Sequence, residues 1–264
     1  MMRVGFAIVL VAVFAAALGP SLTPYDPSAQ TLAQRLEPPS RSHPLGLDEL
    51  GRDILSRLVS GARISLFVGL AVVSVSSLLG MALGSIAGYF GGAVDDLISR
   101  AIDILMAFPG ILLAIALVAV LGPGLTNVIL ALCVIGWVGY ARLVRGQVLR
   151  ARELEYVQAA RALGARSARI VVRHVLPTAF PSVIVQATLG MAGAIIAEAS
   201  LSFLGLGVQP PTPSWGTMLD AGRSHLFDAP HLTIFPGVAI ATLVLGFNFL
   251  GDGLRDRIDP KSRL

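Results

Sequence analysis

The stretch Tyr156–Pro181, YVQAARALGARSARIVVRHVLPTAFP, lies between two long apolar blocks and decides how the chain reads. Glu153 and Glu155 mark a helix start, since negative charge suits the positive end of the helix dipole. Tyr156, Ala159, Ala160 and Leu163 recur at three- and four-residue steps, which lays one apolar stripe along a short helix. Gly164 supplies the left-handed backbone that ends helices. Ala165–Val175 predicts a second short helix carrying Arg166, Arg169 and Arg173. Leu176-Pro177 closes it, because a residue before proline resists the helical conformation. The expected product is a helix–glycine–helix hairpin whose small alanines admit a close partner surface and whose arginines rim it. A loop lying on anionic lipid would account for the charge. It would not account for the alanine pair, the glycine break and the Leu-Pro stop together.

Outward from the hairpin, the chain is apolar. Of its 264 residues, 55% are hydrophobic and 14% charged, where soluble domains carry about a quarter charged residues. Crossing a bilayer takes about 20 mainly apolar residues. Six segments are expected to cross: Val4–Leu18, Ser65–Ala87, Ala101–Leu121, Leu125–Tyr140, Val183–Leu206 and Thr233–Leu250. Glycines and serines such as Gly69, Ser76, Gly80, Gly84 and Ser85 suit close helix packing in lipid. The alternative for the first segment is a signal peptide, with Arg3 ahead of it and Ala15-Ala16-Ala17 behind. An uncleaved helix is the expectation. With the N-terminus inside, 14 basic residues fall on inner segments and six on outer ones, as cytoplasmic flanks require. Both termini are therefore expected in the cytoplasm.

This divides the chain into a first transmembrane helix (1–20), an extracytoplasmic segment (21–62), a core of five spans (63–250) containing the loop 141–182, and a cytoplasmic tail (251–264). Within 21–62, Leu47, Leu50, Ile54 and Leu58 predict a short amphipathic helix at the outer interface. In 208–232, Trp215 predicts an interfacial anchor, and His225 and His231 read as solvated loop histidines.

Several chemistries are absent. The only lysine is Lys261, outside any G-x-x-x-x-G-K-[ST] phosphate loop. No H-E-x-x-H occurs, and no histidine falls inside an expected span to serve as a general base. The single cysteine, Cys133, excludes an internal disulfide. The basic residues flank spans and belong to no soluble domain, which argues against nucleic acid. No catalytic residue, metal site or bound cofactor is expected. Two intramembrane acids stand out, Glu198 and Asp103. Such groups face a bundle interior or a watery path. Glu198 is expected to be held by serines such as Ser200 and Ser202, and Asp103 to pair with Arg100 or cap its helix. A secondary transporter would instead use Glu198 as an ion carrier.

The hairpin resembles the coupling motif of binding-protein-dependent ABC permeases: E-A-A, three residues, G, nine residues, I, one residue, L-P. Gln158, Ala159 and Ala160 stand for the triplet, Gly164 for the glycine, His174 for the isoleucine, and Leu176-Pro177 end the match. Gln158 replaces an acid and His174 an aliphatic residue. Three further stretches are similar to permeases of the DppC/OppC type, which import dipeptides, oligopeptides or nickel. They are His43–Leu66 (HPLGLDELGRDILSRLVSGARISL), Glu198–Val208 with Pro211–Gly216, and Gly251–Pro260. Leu47 stands where threonine is usual, and the group's longer N-terminal tail is expected to be lacking. The resemblance implies an all-α integral membrane protein with the six-helix type I permease fold, in a prokaryotic plasma membrane. It implies a non-catalytic subunit coupled to ATPase subunits through Gln158, Ala159, Ala160, Leu163, Gly164, His174, Leu176 and Pro177. The implied partners are a second, homologous permease, ABC ATPases that hydrolyse ATP with Mg, an extracytoplasmic substrate-binding protein and membrane lipid. The implied cargo is di- or oligopeptides, with nickel as the alternative.

Overall fold

A 37-residue helix, α2 (Ile54–Phe90), forms the spine of the molecule. At 1.5 Å per residue it is about 55 Å long, well beyond the roughly 30 Å of a hydrocarbon core. The computed structural model describes residues 1–258, the side chains of Pro20 and Leu22 apart. The end of the expected tail, residues 259–264, falls outside that range. Besides α2, the helices are α1 (Met2–Leu22), α3 (Gly92–Met106), α4 (Gly110–Leu121), α5 (Leu125–Ala151), α6 (Glu155–Ala162), α7 (Ser167–Ile170), α8 (Leu176–Phe203), α9 (Trp215–Gly222) and α10 (His231–Ile258). Five helices are long and apolar enough to cross a membrane singly, and α3 with α4 pass the same test only together, as a bent pair that counts as a sixth crossing if it is one span.

That pair corrects the straight span expected over Ala101–Leu121. The two helices meet at 87°. Pro109 lacks an N–H and excludes Phe108 from the helical region, so α3 stops at Met106 and α4 starts at Gly110. The short amphipathic helix expected over Leu47–Leu58 is absent as well. Leu47 pairs with Asp53 in an isolated antiparallel bridge around a tight turn, and Ile54–Leu58 are the first residues of α2. Asp53 caps that helix by accepting from the Ser56 N–H at 2.8 Å, the ordinary role of an aspartate before a helix. Asp48 accepts from Arg52 Nε at 2.7 Å and faces Arg57 Nε at 3.3 Å. The charges read as one helix face thus close a buried knot.

Trp215 is not an interfacial anchor either. It is 4% exposed, and its indole N–H donates to the Leu58 carbonyl at 2.8 Å. His231 opens α10, is buried, and bonds the Leu47 carbonyl through Nε2. His225 ends a short 3-10 helix, Arg223–His225, and is half-buried; its imidazole holds the Asp228 carboxyl below the usual range through a 2.9 Å hydrogen bond.

The core lies in layers along the bundle. Trp215, Leu232 and Leu243 fill one end, Val68, Val118 and Val128 the middle, and Val144, Val148 and Val157 the hairpin end. Along the α2–α5 seam, Gly80, Gly84 and Gly88 recur every four residues and lie against Tyr140, Ala141 and Val148. Small residues let the backbones touch where no hydrophobic force drives helices together.

Candidate functional site

The hairpin is built as a rigid arm with one face left open. Val157 is the anchor: it is fully buried with Val148, Ala151, Ile170 and Val175. The expected stripe points the other way. Tyr156 is 46% exposed, Leu163 89%, Ala159 is exposed and Ala160 half-buried. The periodic stripe does not include Val157, the single buried residue of α6.

Gly164 ends α6 at φ +80°. Its N–H donates to the Arg161 carbonyl at 3.0 Å and the Ala165 N–H to the Ala160 carbonyl at 3.1 Å. Together these bonds form the Schellman arrangement that satisfies the last carbonyls of a helix. Two side chains tie the arm to itself: Gln158 Nε2 donates to the Glu153 carbonyl at 3.1 Å, and the Tyr156 hydroxyl to the His174 carbonyl at 3.2 Å. Two more tie it to the end of α2. Arg161 lies 5.5 Å from the Tyr89 ring centroid, and Arg152 donates to the Gly88 carbonyl at 3.0 Å.

Leu176-Pro177 does not close the second helix. Ser167 begins a helix that runs on to Phe203 without interruption. The ring of Pro177 falls at the start of α8, and a wide π-turn over Val171–Val175 precedes it. A π-turn spaces its carbonyls differently from an α-turn, and here the missing proline N–H is absorbed without a break. The second helix of the arm is therefore one end of a spanning helix, and α6, which carries the stripe, is joined to it through the Gly164 turn.

Glu198, further along α8, is fully buried. Its carboxylate accepts from Ser202 Oγ at 2.8 Å and Ser65 Oγ at 3.2 Å, and Ser214 approaches it too. Ser202 is among the expected partners; Ser200 instead donates to the Ile196 carbonyl. The cluster joins α2, α8 and the start of α9. Replacing Glu198 by Leu leaves two buried hydroxyls without an acceptor, at about 1–3 kcal/mol each. Glu198→Leu should lower the thermal midpoint of the purified complex clearly, and Glu198→Gln, which keeps an acceptor, only slightly. Equal midpoints for the two variants would refute the clasp.

Asp103 is apart from Glu198 and neither pairs with Arg100 nor caps a helix start. It lies in the last turns of α3, on a cavity of about 410 Å³ with Ser99, Arg142 and Arg145. A separate cavity of about 280 Å³ lies between α2, α4, α5 and α8, with Ser76, Tyr140 and Gln186 as polar lining groups.

A bundle with a bent helix pair and an exposed hairpin is a multi-pass membrane architecture, and the comparisons give its class. The family described as binding-protein-dependent transport system inner membrane component matches residues 80–264, and the N-terminal transmembrane domain of oligopeptide transport permease C matches residues 1–39. The chain belongs to this family of ABC importer permeases. It is 47% identical over 257 residues to a dipeptide transport system permease protein of Alkalihalophilus pseudofirmus, covering 97% of this chain and 83% of that one. It is 50% identical over 241 residues to a glutathione transport system permease protein of Pectobacterium atrosepticum, covering 91% and 80%. An oligopeptide transport system permease protein of Bacillus subtilis is 44% identical over 260 residues, covering 98% and 85%. Among solved structures, an inward-facing MetNI methionine ABC transporter superposes with TM-score 0.60 at 21% identity, covering 77% of this chain and 97% of that one.

Proposed function

We propose that this chain is one half of the transmembrane path of an ATP-driven importer of di- or oligopeptides. A second, homologous permease would complete the path and a substrate-binding protein would deliver cargo. ATPase subunits, which bind and hydrolyse ATP with Mg, would dock on Gln158, Ala159, Ala160, Leu163 and Gly164. Both termini and the hairpin face the cytoplasm in this reading, as the charge distribution favours. The observation that carries it is the open apolar stripe on α6, joined through the Gly164 turn to the helix that continues into α8. A push at Leu163 then reaches α8 through that turn. Coupling of this kind requires contacts that differ between the two states of the ATPases. The peptide cargo rests on the named relatives, and uptake of labelled dipeptide against labelled nickel by a deletion strain would separate the two cargoes.

The docking claim has a direct test. Ala160 is half-buried at the foot of the stripe, so Ala160→Arg places a long charged side chain where a partner must approach. The variant should insert normally, and co-purification of the ATPases should fall about tenfold, as for ~1.4 kcal/mol of lost contact. Unchanged stoichiometry would move the docking surface elsewhere.

A further inference from the structure

The cavity beside α3 has features that the transport reading leaves unused. Three contacts fix how α3 lies. Asp95 pairs with Arg145, Ile102 packs with Val138 and Ala141, and Met106 Sδ meets Arg142. The helix is about 22 Å long, yet these contacts span only about 10 Å of α5. It therefore crosses α5 instead of running along it. Leu97 and Ile104 are 71% and 65% exposed, with exposed Arg100 between them, while Asp95, Ser99 and Asp103 recur at four-residue steps. Exposed apolar and charged groups on one helix suit the boundary between acyl chains and headgroups.

The charged groups are unequally satisfied. Arg145 donates to both Asp95 oxygens, Nε at 2.5 Å and Nη2 at 2.6 Å, which engages two of its five N–H groups. Arg142 has only the Met106 sulfur, at 2.9 Å, a weak acceptor. Among the described residues, no hydrogen bond or ion pair reaches the Asp103 carboxylate. The cavity of about 410 Å³ thus presents an underused guanidinium and a free carboxylate together.

We infer that this cavity binds the headgroup of an aminophospholipid of the ethanolamine class, its phosphate on Arg142 and its ammonium on Asp103. A guanidinium suits a phosphate through paired N–H donors, and a primary ammonium offers three N–H groups to a carboxylate. A purely anionic lipid would set its charge against Asp103, and a choline headgroup has no N–H to donate. The site falls in the cytoplasmic leaflet, which rests on the orientation proposed above. A lipid held there would brace the α3–α4 bend against the hairpin end of α5.

The experiment uses the assembled complex in nanodiscs of mixed ethanolamine, choline and glycerol phospholipids, with retained lipid counted by mass spectrometry. Ethanolamine lipid should be enriched over its bulk fraction, and Arg142→Gln and Asp103→Asn should each cut the enrichment about fivefold, equivalent to ~1 kcal/mol. Both residues are exposed, and a gel-filtration profile matching the parent shows that each variant folds. Enrichment of glycerol lipid, no enrichment, or displacement of the lipid by added dipeptide would each overturn the assignment, the last making the cavity a cargo site. Orientation is read separately, from impermeant-thiol labelling of Ser167→Cys in vesicles of each sidedness. A lipid site can thus survive a reversed topology, and the reverse.

Discussion

Gly164→Pro should abolish substrate-stimulated ATP hydrolysis in the assembled complex while leaving membrane insertion intact. Three faults coincide in that one substitution. Proline holds φ near −65°, whereas Gly164 sits at +80°. It deletes the N–H that donates to the Arg161 carbonyl. It also expels Leu163, now before a proline, from its near-helical backbone at φ −77°, ψ 6°. The last turn of α6 must then unwind, and Leu163 and Ala160 leave the stripe. Crowding is not the cause, since a Cβ at this glycine meets nothing within 4 Å. That predicts a graded series. Gly164→Asn, which tolerates the left-handed region, should keep most of the stimulation. Gly164→Ala, strained by about 1–2 kcal/mol, should fall between. The measurement is ATPase rate with and without loaded binding protein. Stimulation by the proline variant equal to the parent's would sink the coupling role of this arm.

The glycine was legible because its meaning is local: a left-handed residue after an apolar stripe needs no tertiary knowledge. Long spans were legible for the same reason, since each satisfies its own backbone. What escaped is what depends on partners far along the chain. Trp215 looks like an interface residue until the Leu58 carbonyl, 157 residues away, takes its N–H. Hydropathy windows add α3 to α4 smoothly, and only the Pro109 ring reveals the corner. The Leu-Pro stop misled in the opposite sense. Proline forbids a continuous α-ladder, and the wide π-turn ahead of Pro177 evades that rule. Val157 was hidden by its neighbours, because a single buried residue on an eight-residue helix has no period. Of the expected site, the hairpin residues do come together on one arm. Asp103 and Glu198 separate into a lateral cavity and a three-helix clasp.

The second large effect is expected at Gly84, where Leu should prevent the complex from assembling. A Cβ built there overlaps the Ala141 carbonyl oxygen and stands 3.1 Å from its carbonyl carbon and Cα. These are backbone atoms of α5 and cannot rotate away as a side-chain tip would. Relief requires α2 and α5 to part, but Gly80 and Gly88, one turn to either side, also leave no room for a Cβ against Tyr140 and Val148. The whole seam must open. Overpacking an ordinary core costs about 1–3 kcal/mol, and a seam of three glycines against backbone should exceed that range. Lipid cannot fill the opened seam without also stranding Tyr140 and Ala141, both now buried. Gly84→Ala should give partial assembly, since one methyl already meets the Ala141 carbonyl. Gly237→Ala is the matched control: a helical glycine with nothing within 4 Å of its Cβ, where alanine should add up to about 1 kcal/mol of helix stability. Yield of assembled complex on gel filtration distinguishes them. Parent-like yield from Gly84→Leu would mean that α2 and α5 are not packed through this seam, and the arm would then have no fixed bundle to push against.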